Sequence, residues 1–512
     1  MKIQTGDLKP GDLIGHDLHQ VYNGLDACLT FEIFEVLSEA MRKENDPSWE
    51  NIYSFERGMQ APALDMMLRG WLIDPYERQV GTKATRLQKE RVEAILNRYG
   101  FATWGKPINP RSPLQLKNYF YSHLGLPEQF RFDKGERKVT TNREALEKLE
   151  DYLYARPQIL SILAARDATK LLSVLETEID QDGRMRTSYN IAGTNTGRWS
   201  SSSNSTGGGT NLQNITPKLR RMFIADKGYK LCYLDLEQAE SRVVGLLVWW
   251  LLGDATYLDA CESGDLHTYV ARLVWPKLPW TGEIKKDREI AEQIFYRHFT
   301  YRDMAKRGGH GTNYYGTPPT MAKHLKVTTP VMQEFQDAYF TPFSGIRRWH
   351  VLTARTLGLH QEITTPLGRR RIFFGRPDDD ATLRKAIAYA PQSTVGDLLN
   401  YALWRLWKYE PRIELLAQIH DAVVFQYPDD PRYEADILSS CIELTRIPLT
   451  LRGRTLTIPS EAKIGWNWGE NQLDRPLEKR LWPDGNPNGL VKWKSGQNDS
   501  RRRVVGLDRA VS

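Results

Sequence analysis

YLDLEQAESR, at residues 233–242, is the stretch from which both the fold and the chemistry of this chain follow. The apolar run around its start predicts a buried strand that ends at Asp235, and Glu240 follows five residues later. A carboxylate at the end of a buried strand is costly unless a cation shares its site or it caps the next helix. This stretch alone leaves both interpretations open.

A second carboxylate lies far downstream, in QIHDAVVF at 418–425. There Asp421 stands between two apolar runs that predict the arms of a hairpin. Two strand-borne aspartates that converge form a site for hard divalent cations. The sequence therefore predicts that Asp235 and Asp421 meet in space, and the chemical interpretation depends on that meeting.

RDMAKRGGHGTNYYG, at 302–316, predicts a helix with Arg302, Lys306, His310 and Tyr314 at intervals of four. Four residues advance about 400° and about 6 Å on an α-helix, so these side chains share one face. Such a row suits the phosphates and base of a nucleotide, although a solvated basic face is the simpler alternative. Each glycine of the GGHG run costs about 1 kcal/mol relative to alanine. This indicates that something approaches the backbone closely or that the helix moves.

Length and composition set broad limits on the rest of the chain. Its 512 residues predict more than one domain, and the net charge of +7 is weak evidence for a polyanionic partner. The four cysteines form no CxxC pair, which argues against a disulfide framework or a zinc site. The longest apolar run, 243–253, is too short to span a bilayer. We therefore expect a cytoplasmic protein without a membrane partner.

Breakers and periodicity predict separate blocks of helices and strands, and hence an α+β fold. Helical patterns end at Gly70 and Gly100, and the Ser/Gly-rich segment 200–209 is expected to be a flexible loop. Further segments are a helix at 24–42, a strand at 221–236, helices at 236–252, 285–355 and 382–408, a hairpin at 412–427 and a short sheet at 449–466.

Taken in order, the carboxylate strand, the R-x3-K-x7-Y helix and the HD hairpin resemble motifs A, B and C of family A DNA polymerases, the bacterial DNA polymerase I group and its phage relatives. Other stretches fall in family order over about 52–470: FERGMQAPALDMMLRGWLID (55–74), DATKLLSVL (167–175), TGRWSS (196–201), NLQNI (211–215), GDLH (264–267), TPLGRRR (365–371) and APQSTVGDLL (390–399). The resemblance implies a right-hand fold with a helical thumb, an antiparallel palm sheet and helical fingers.

The same resemblance divides the chain into regions. It implies an exonuclease-domain remnant at 1–50, a thumb at 51–185, palm segments at 186–254 and 351–475, fingers at 255–350 and a mobile C-terminal tail at 476–512.

The family pattern also assigns roles to single residues. Asp235, Asp421 and the Leu236 carbonyl would hold two Mg²⁺ ions, for which Mn²⁺ could substitute, and Lys306 would protonate the departing pyrophosphate. The incoming dNTP would be contacted by Arg302, Lys306, His310, Tyr314, His267, Gln238 and Glu240, with Glu240 excluding a ribose 2′-hydroxyl. Primer–template DNA would be contacted by Arg198, Gln392, Lys170, Gln213, Asn214, Arg384 and His420.

Several positions depart from the family pattern. His310 stands where the family usually has Phe or Tyr, and Ala422 replaces the carboxylate that often follows the motif C aspartate. Glu237 adds an acid with no assigned role, and Tyr315 replaces a common glycine. The NSTGGG segment lengthens the loop after Arg198.

YNGLD, at 22–26, resembles the Y-x3-D motif that ends a family A 3′–5′ exonuclease domain. Alone it cannot assemble a two-metal hydrolytic site, and an ordinary helix entry is the simpler interpretation. We therefore expect no intrinsic proofreading, and hypothesise that a separate exonuclease polypeptide docks on residues 1–50.

Two other functions stay open at this stage. One is a single-subunit RNA polymerase, against which Glu240 argues because that enzyme needs space at the sugar 2′-position. The other is a catalytically inactive DNA-binding or replication accessory protein, against which the retained aspartates and basic residues argue.

Overall fold

The computed structural model describes residues 16–44, 47–133, 136–204, 208–296, 299–470 and 489–494. The helices are α1 (His16–Glu44), α2 (Pro47–Gly58), α3 (Gln60–Arg69), α4 (Pro75–Trp104), α5 (Pro113–Lys117), α6 (Arg143–Lys148), α7 (Arg156–Leu175), α8 (Ala239–Leu252), α9 (Thr256–Glu262), α10 (Leu266–Val274), α11 (Ile284–Ala291), α12 (Tyr301–Asn313), α13 (Pro318–Leu325), α14 (Thr329–Phe340), α15 (Ser344–His360), α16 (Asp380–Tyr409) and α17 (Pro431–Leu444).

The strands are β1 (Trp71–Leu72), β2 (Phe130–Asp133), β3 (Glu136–Val139), β4 (Arg184–Met185), β5 (Ser188–Asn190), β6 (Ser200–Ser202), β7 (Tyr229–Leu236), β8 (Ile294–Tyr296), β9 (Phe299–Thr300), β10 (Glu362–Thr364), β11 (Arg370–Ile372), β12 (Glu414–Ile419), β13 (Ala422–Pro428), β14 (Leu449–Leu451), β15 (Arg454–Leu456), β16 (Ser460–Gly465) and β17 (Val491–Lys492).

A five-stranded antiparallel sheet in the order β12-β13-β7-β16-β17 carries both predicted aspartates. The central strand β7 is apolar on both faces and mostly buried, because helix α8 and helix α16 cover one face and a second apolar cluster covers the other. Many helices together with a small antiparallel sheet confirm the predicted α+β class.

The strand predicted at 221–236 is shorter than expected. Residues Pro217–Met222 form a 3₁₀ turn instead, and the ladder of β7 begins only at Tyr229. Phe223 and Ile224 make isolated bridges to Ile73 and Asn467, so this apolar segment is buried without joining a strand. An apolar run alone does not separate these two outcomes.

A separate helical part with its own core is formed by α4 to α7. Leu96, Phe120, Leu146 and Ile159 are fully buried there. The prediction that a helix ends at Gly100 is wrong, because α4 continues to Trp104 and the left-handed cap is Gly105, with φ +72°. A Cβ at residue 100 would lie 2.5 Å from the Lys106 carbonyl oxygen, so close backbone approach explains that glycine.

Near the N-terminus of the described chain, the predicted helix end at Gly70 is confirmed. Gly70 caps α3 with φ +64°, although the preceding helical pattern is divided between α2 and α3. The single helix predicted at 24–42 is also present, as the longer α1.

Two segments predicted to lack regular structure are partly ordered. Strand β6 occupies the start of the loop expected at 200–209 and pairs with β5. Strand β17 lies within the expected mobile tail at 476–512 and pairs with β16, so that prediction is wrong for 489–494. The other positions of the tail, and the tip of the loop at 205–207, lie outside the described residues.

The cysteines and the long helices agree with the composition. All four cysteines are free thiols, and three of them are buried. No helix in the described ranges is long and apolar enough to cross a membrane.

Candidate active site

Strand register brings the two predicted aspartates together. Asp235 is directly opposite Ala422 across β7 and β13, and Asp421 occupies the tight turn between β12 and β13. The Leu236 amide donates to the Asp421 carbonyl at 3.1 Å. His420, the other turn residue, has a left-handed φ of +53°, which the two-residue connection imposes.

The electrostatics of this pair are those of two acids that share a partly buried site. Burial, and then the charge of Asp421, raises the pKa of Asp235 to about 6, and Lys463 only partly offsets the effect. Burial also raises the pKa of Asp421, while the neighbouring Arg198 guanidinium opposes it. Glu461, opposite Asp235 on β16, and Glu237 add further negative charge. The negative charge of these carboxylates therefore favours the binding of cations at this site.

A cavity of about 410 Å³ extends from the two aspartates to helix α12. Its lining includes five of the seven residues predicted to bind a nucleotide, namely Gln238, Glu240, His267, Lys306 and His310, together with the three predicted metal ligands Asp235, Leu236 and Asp421. The lining also includes Gly309 of the GGHG run and residues that the sequence did not single out, namely Ala239, Ser241, Tyr257, Leu266, Val270, Ala305, Arg307 and Tyr339. The cavity wall therefore combines carboxylates from β7, α8 and the turn between β12 and β13 with basic side chains from α12.

Glu240 is the hub of the hydrogen bonds in this cavity. Arg198 donates to one Glu240 oxygen at 2.7 Å and to Asp421 at 3.1 Å, and the Tyr314 hydroxyl donates to the other Glu240 oxygen at 2.7 Å. His310 Nδ1 lies 3.8 Å from the same carboxylate. Burial and the charge of Glu240 together raise the pKa of Tyr314 well above its usual value, so its hydroxyl keeps its proton.

The row predicted on α12 is divided in two. Lys306 and His310 are exposed and line the cavity, whereas Arg302 makes a bidentate pair with Asp265 at 2.9 and 3.0 Å. Asp265 also caps α10, and although burial opposes it, the bonds from Arg302 and Thr268 hold its pKa at about 2. Asp265 lies in the GDLH stretch, and no pattern in the sequence predicts its role.

His267 stands beside that pair at the start of α10. Burial, and then the charge of Arg302, lowers the pKa of His267 to about 4, so the ring is neutral near pH 7. Its contribution to an anion site would therefore be hydrogen bonding.

The glycines of α12 have a packing explanation. A Cβ at Gly308 would lie 2.6 Å from the Phe335 ring, and one at Gly311 would lie 2.7 Å from Met321. The close approach predicted for this helix is therefore made by side chains of α13 and α14. Tyr315, where the family pattern has glycine, has a left-handed φ of +62°.

Comparisons with known proteins agree with these observations. The family model described as DNA polymerase family A matches residues 78–470. The chain belongs to DNA polymerase family A. It is 28% identical over 483 residues to DNA polymerase I of Chloroflexus aurantiacus, which covers 88% of this chain and 46% of that protein. It is 30% identical over 437 residues to the thermostable DNA polymerase I of Thermus aquaticus, covering 80% of this chain and 47% of that one.

The fold of this family A chain has a solved counterpart. The structure described as the POL domain of Pol1 from M. smegmatis, in complex with DNA primer–template and dNTP, aligns with a TM-score of 0.64 and 24% identity. The alignment covers 80% of this chain and 69% of that one. The chain spans about half the length of the curated relatives it matches.

The residues predicted to contact DNA differ in whether they lie beside the carboxylates. Gln213 donates to Gln418 at 2.7 Å, and Gln418 donates to the His420 carbonyl at 2.8 Å, so these three residues form one cluster beside Asp421. The remaining ones that do not touch the carboxylates are exposed or half-buried on other elements: Lys170 on α7, Asn214 after β6, and Arg384 and Gln392 on α16.

The donor set is suited to a hard divalent cation. It consists of two carboxylates and the carbonyl of Leu236, which are all oxygen donors. The described residues contain no group of three or more His, Cys, Asp or Glu side chains arranged to hold a metal. Two carboxylates and one carbonyl are fewer oxygens than a divalent cation takes, so water and substrate oxygens would complete a Mg²⁺ site here.

Proposed function

We propose that this chain is a template-directed DNA polymerase that adds dNTPs to a primer 3′-hydroxyl by two-metal nucleotidyl transfer. The observation that carries the proposal is the meeting of Asp235 and Asp421 in the wall of a cavity that Lys306 and His310 also line. This arrangement matches the charge pattern of a Mg²⁺-bound triphosphate.

The metal roles belong to this proposal. Asp235, Asp421 and the Leu236 carbonyl would hold two Mg²⁺ ions, or Mn²⁺ in their place, and such ions supply charge stabilisation for the attacking and leaving oxygens. The residues of the chain do the positioning. Lys306 is exposed at the cavity wall, and there it would bind the triphosphate and give a proton to the leaving pyrophosphate.

Arg302 would help to bind the triphosphate by positioning two other residues of the cavity. Its bidentate bond to Asp265 links α12 to the start of α10, beside His267. The pair holds the two elements that carry Lys306 and His267 in register, while the guanidinium remains partly exposed to an anion.

Sugar selection is assigned to Glu240 with Gln238. Glu240 is fixed from two sides, by Arg198 and by Tyr314, so its carboxylate is held against the wall of the cavity. A fixed carboxylate there would clash with a 2′-hydroxyl, which disfavours the RNA polymerase alternative. The retained pair of aspartates disfavours the catalytically inactive alternative.

DNA contacts are proposed for the exposed Lys170, Asn214, Arg384 and His420, and for the half-buried Arg198, Gln213 and Gln392. Arg198 and Gln392 would read minor-groove acceptors that all correct base pairs share. Primer–template DNA and dNTPs are thus the proposed substrates, and Tyr314 would lie near the templating base.

Extension of a labelled primer tests the proposal. Purified protein should extend with dNTPs and Mg²⁺, should fail with EDTA, and should use rNTPs poorly. Asp421→Asn should abolish extension while the Kd for primer–template stays within about twofold, because one charge of many at the DNA surface changes. Glu240→Ala should raise ribonucleotide incorporation. Equal extension by the Asp421→Asn protein would remove that residue from the mechanism.

Absence of proofreading is part of the proposal. Tyr22 and Asp26 of the Y-x3-D motif lie exposed on α1, and this motif alone does not provide a two-metal hydrolytic site. Removal of a mismatched 3′ end by the purified chain would contradict it.

A separate 3′–5′ exonuclease polypeptide docking on α1 is the final element of the proposal. It is supported by an unusual number of exposed apolar side chains on this helix, namely Val21, Tyr22, Leu29, Phe31, Ile33, Phe34, Val36 and Leu37. The chain alone should be a monomer in light scattering. A dimer that dissociates on double substitution Leu29→Lys and Ile33→Lys would assign this face to a second copy instead.

A further inference from the structure

Asn313 is a fully buried amide at the end of α12, with 1% of its surface exposed. Its side-chain nitrogen donates to the Tyr257 hydroxyl at 2.8 Å, and its side-chain oxygen accepts from the Tyr339 hydroxyl at 2.8 Å. Tyr257 belongs to α9 and Tyr339 to α14. A buried amide is stable only when its bonds are made, so this residue fixes the end of α12 against two other helices.

The backbone of Asn313 is held as well. His350, on α15, places its Nε2 atom 2.8 Å from the Asn313 carbonyl, to which it must donate. Burial lowers the pKa of His350 to about 4, so the ring is neutral and the whole network is uncharged near pH 7. The ring of the left-handed Tyr315 meets His350 edge-on at 5.4 Å. The residues on both sides of Tyr314 are therefore anchored to the same buried network.

The network also reaches the helix that carries Glu240. Ser241, the next residue on α8, interacts with the Tyr257 hydroxyl through its own side chain, and both residues line the cavity. Tyr314 in turn donates to Glu240 at 2.7 Å. A closed circuit thus runs from Glu240 through Ser241, Tyr257 and Asn313 to Tyr314 and back to Glu240.

We propose that Asn313, together with Tyr257, is a positioning residue for sugar selection: it fixes Tyr314, and through Tyr314 the carboxylate of Glu240, at the cavity wall. This inference rests on the proposed polymerase function and gives a specific role to Asn313, a buried residue that does not line the cavity. A loosened Tyr314 would let Glu240 turn away, so a ribose 2′-hydroxyl would meet less resistance.

Tyr257→Phe tests this most directly, because it removes one hydroxyl and keeps the ring that packs on Phe343. Loss of one buried hydrogen bond should lower the ratio of kcat/KM for dNTP to that for rNTP by about tenfold. The Kd for primer–template should stay within about twofold. Asn313→Leu should have the same direction and a larger effect, and if it fails to fold, Tyr257→Phe alone decides.

Tyr427→Phe is the matched control. Tyr427 is equally buried and its hydroxyl donates to Glu434 at 2.9 Å, but it lies six residues along β13 from Asp421, or about 20 Å away. It should lose comparable stability and keep the wild-type ratio. If Tyr257→Phe lowers Tm as this control does and leaves the ratio unchanged, Asn313 and Tyr257 are merely structural and the inference is overturned.

A measurement without catalysis separates this inference from the proposed function. Amide exchange of the segment 313–316 should be faster in Tyr257→Phe than in wild type and in Tyr427→Phe, because its anchor is weakened. Unchanged exchange overturns the inference even where the wild type extends primers. Faster exchange in a protein that extends no primer would support the positioning and contradict the polymerase proposal.

Discussion

Asp235→Asn should stabilise the metal-free protein near neutral pH. Burial and the charge of Asp421 raise the pKa of Asp235 from 3.8 to about 6, so ionising this carboxylate in the folded state costs about 3 kcal/mol. Asparagine keeps the shape of the side chain and removes the charge. The free energy of unfolding in EDTA at pH 7.5 should therefore rise by about 2–3 kcal/mol.

The stability difference between wild type and Asp235→Asn should depend on pH. The folded protein holds the Asp235 proton more tightly than the unfolded chain does, so this group stabilises the fold fully below about pH 4, and that stability is lost as the pH rises through about 6. Wild type and Asp235→Asn should thus have similar stabilities at pH 4 and diverge towards pH 7. Urea unfolding at a series of pH values measures the difference directly.

Mg²⁺ should reduce the stability advantage that Asp235→Asn has over wild type in EDTA. Binding to the folded state alone stabilises the wild type, and removal of one carboxylate ligand weakens that gain. Asp254→Asn is the control of opposite sign, because bonds from Thr256 and Arg348 outweigh burial and hold the pKa of Asp254 below its usual value. If Asp235→Asn is less stable than wild type at pH 7.5 in EDTA, the account of two acids sharing one site is refuted.

Three further predictions concern packing and charge around the cavity. Gly308→Ala places a methyl group against the Phe335 ring and should lower the free energy of unfolding by about 1–3 kcal/mol. Gly358→Ala, in open space on α15, should raise it by up to about 1 kcal/mol, and thermal unfolding compares the two variants. Asp265→Ala removes a bidentate ion pair and a helix cap and should cost about 2–3 kcal/mol in urea unfolding, whereas Asp378→Ala, in an exposed pair with Arg376, should leave the stability unchanged. His350, with its pKa lowered to about 4, stabilises the fold above about pH 6.5 and loses that contribution as the pH falls towards 4, so His350→Gln should flatten the acid side of the stability curve.

Much of the framework was predictable because it depends on local rules. Apolar runs that end at Asp235 and on both sides of Asp421 predict strands and a hairpin, and these were confirmed in β7, β12 and β13. The helix end predicted at Gly70 is confirmed for the same reason, because a C-terminal glycine is a local signal. The helix end predicted at Gly100 is wrong. This glycine is required by its close contact with Lys106, in the loop after the helix, and hydrophobic periodicity does not predict such a contact.

The interior of the site was less predictable because its partners come from distant segments. Arg302 was identified as a cation on one helix face, but its partner Asp265 lies 37 positions away and shares no pattern with it. Asn313 carries no signal either, since a lone asparagine near a helix end more often indicates a cap. Its importance follows only from two tyrosines that tertiary packing brings within 2.8 Å.

The same distinction explains why the carboxylates can be recognised from sequence while their behaviour cannot. Asp235 and Asp421 are identifiable by their places at strand ends, but the pKa of each depends on the charges that other elements bring to it. Glu461, on β16, raises the pKa of Asp235, whereas Arg198, in the segment before β6, lowers the pKa of Asp421. Because Arg198 binds Glu240 and Asp421 together, a change at either carboxylate is expected to alter the other, and single substitutions here should not be additive.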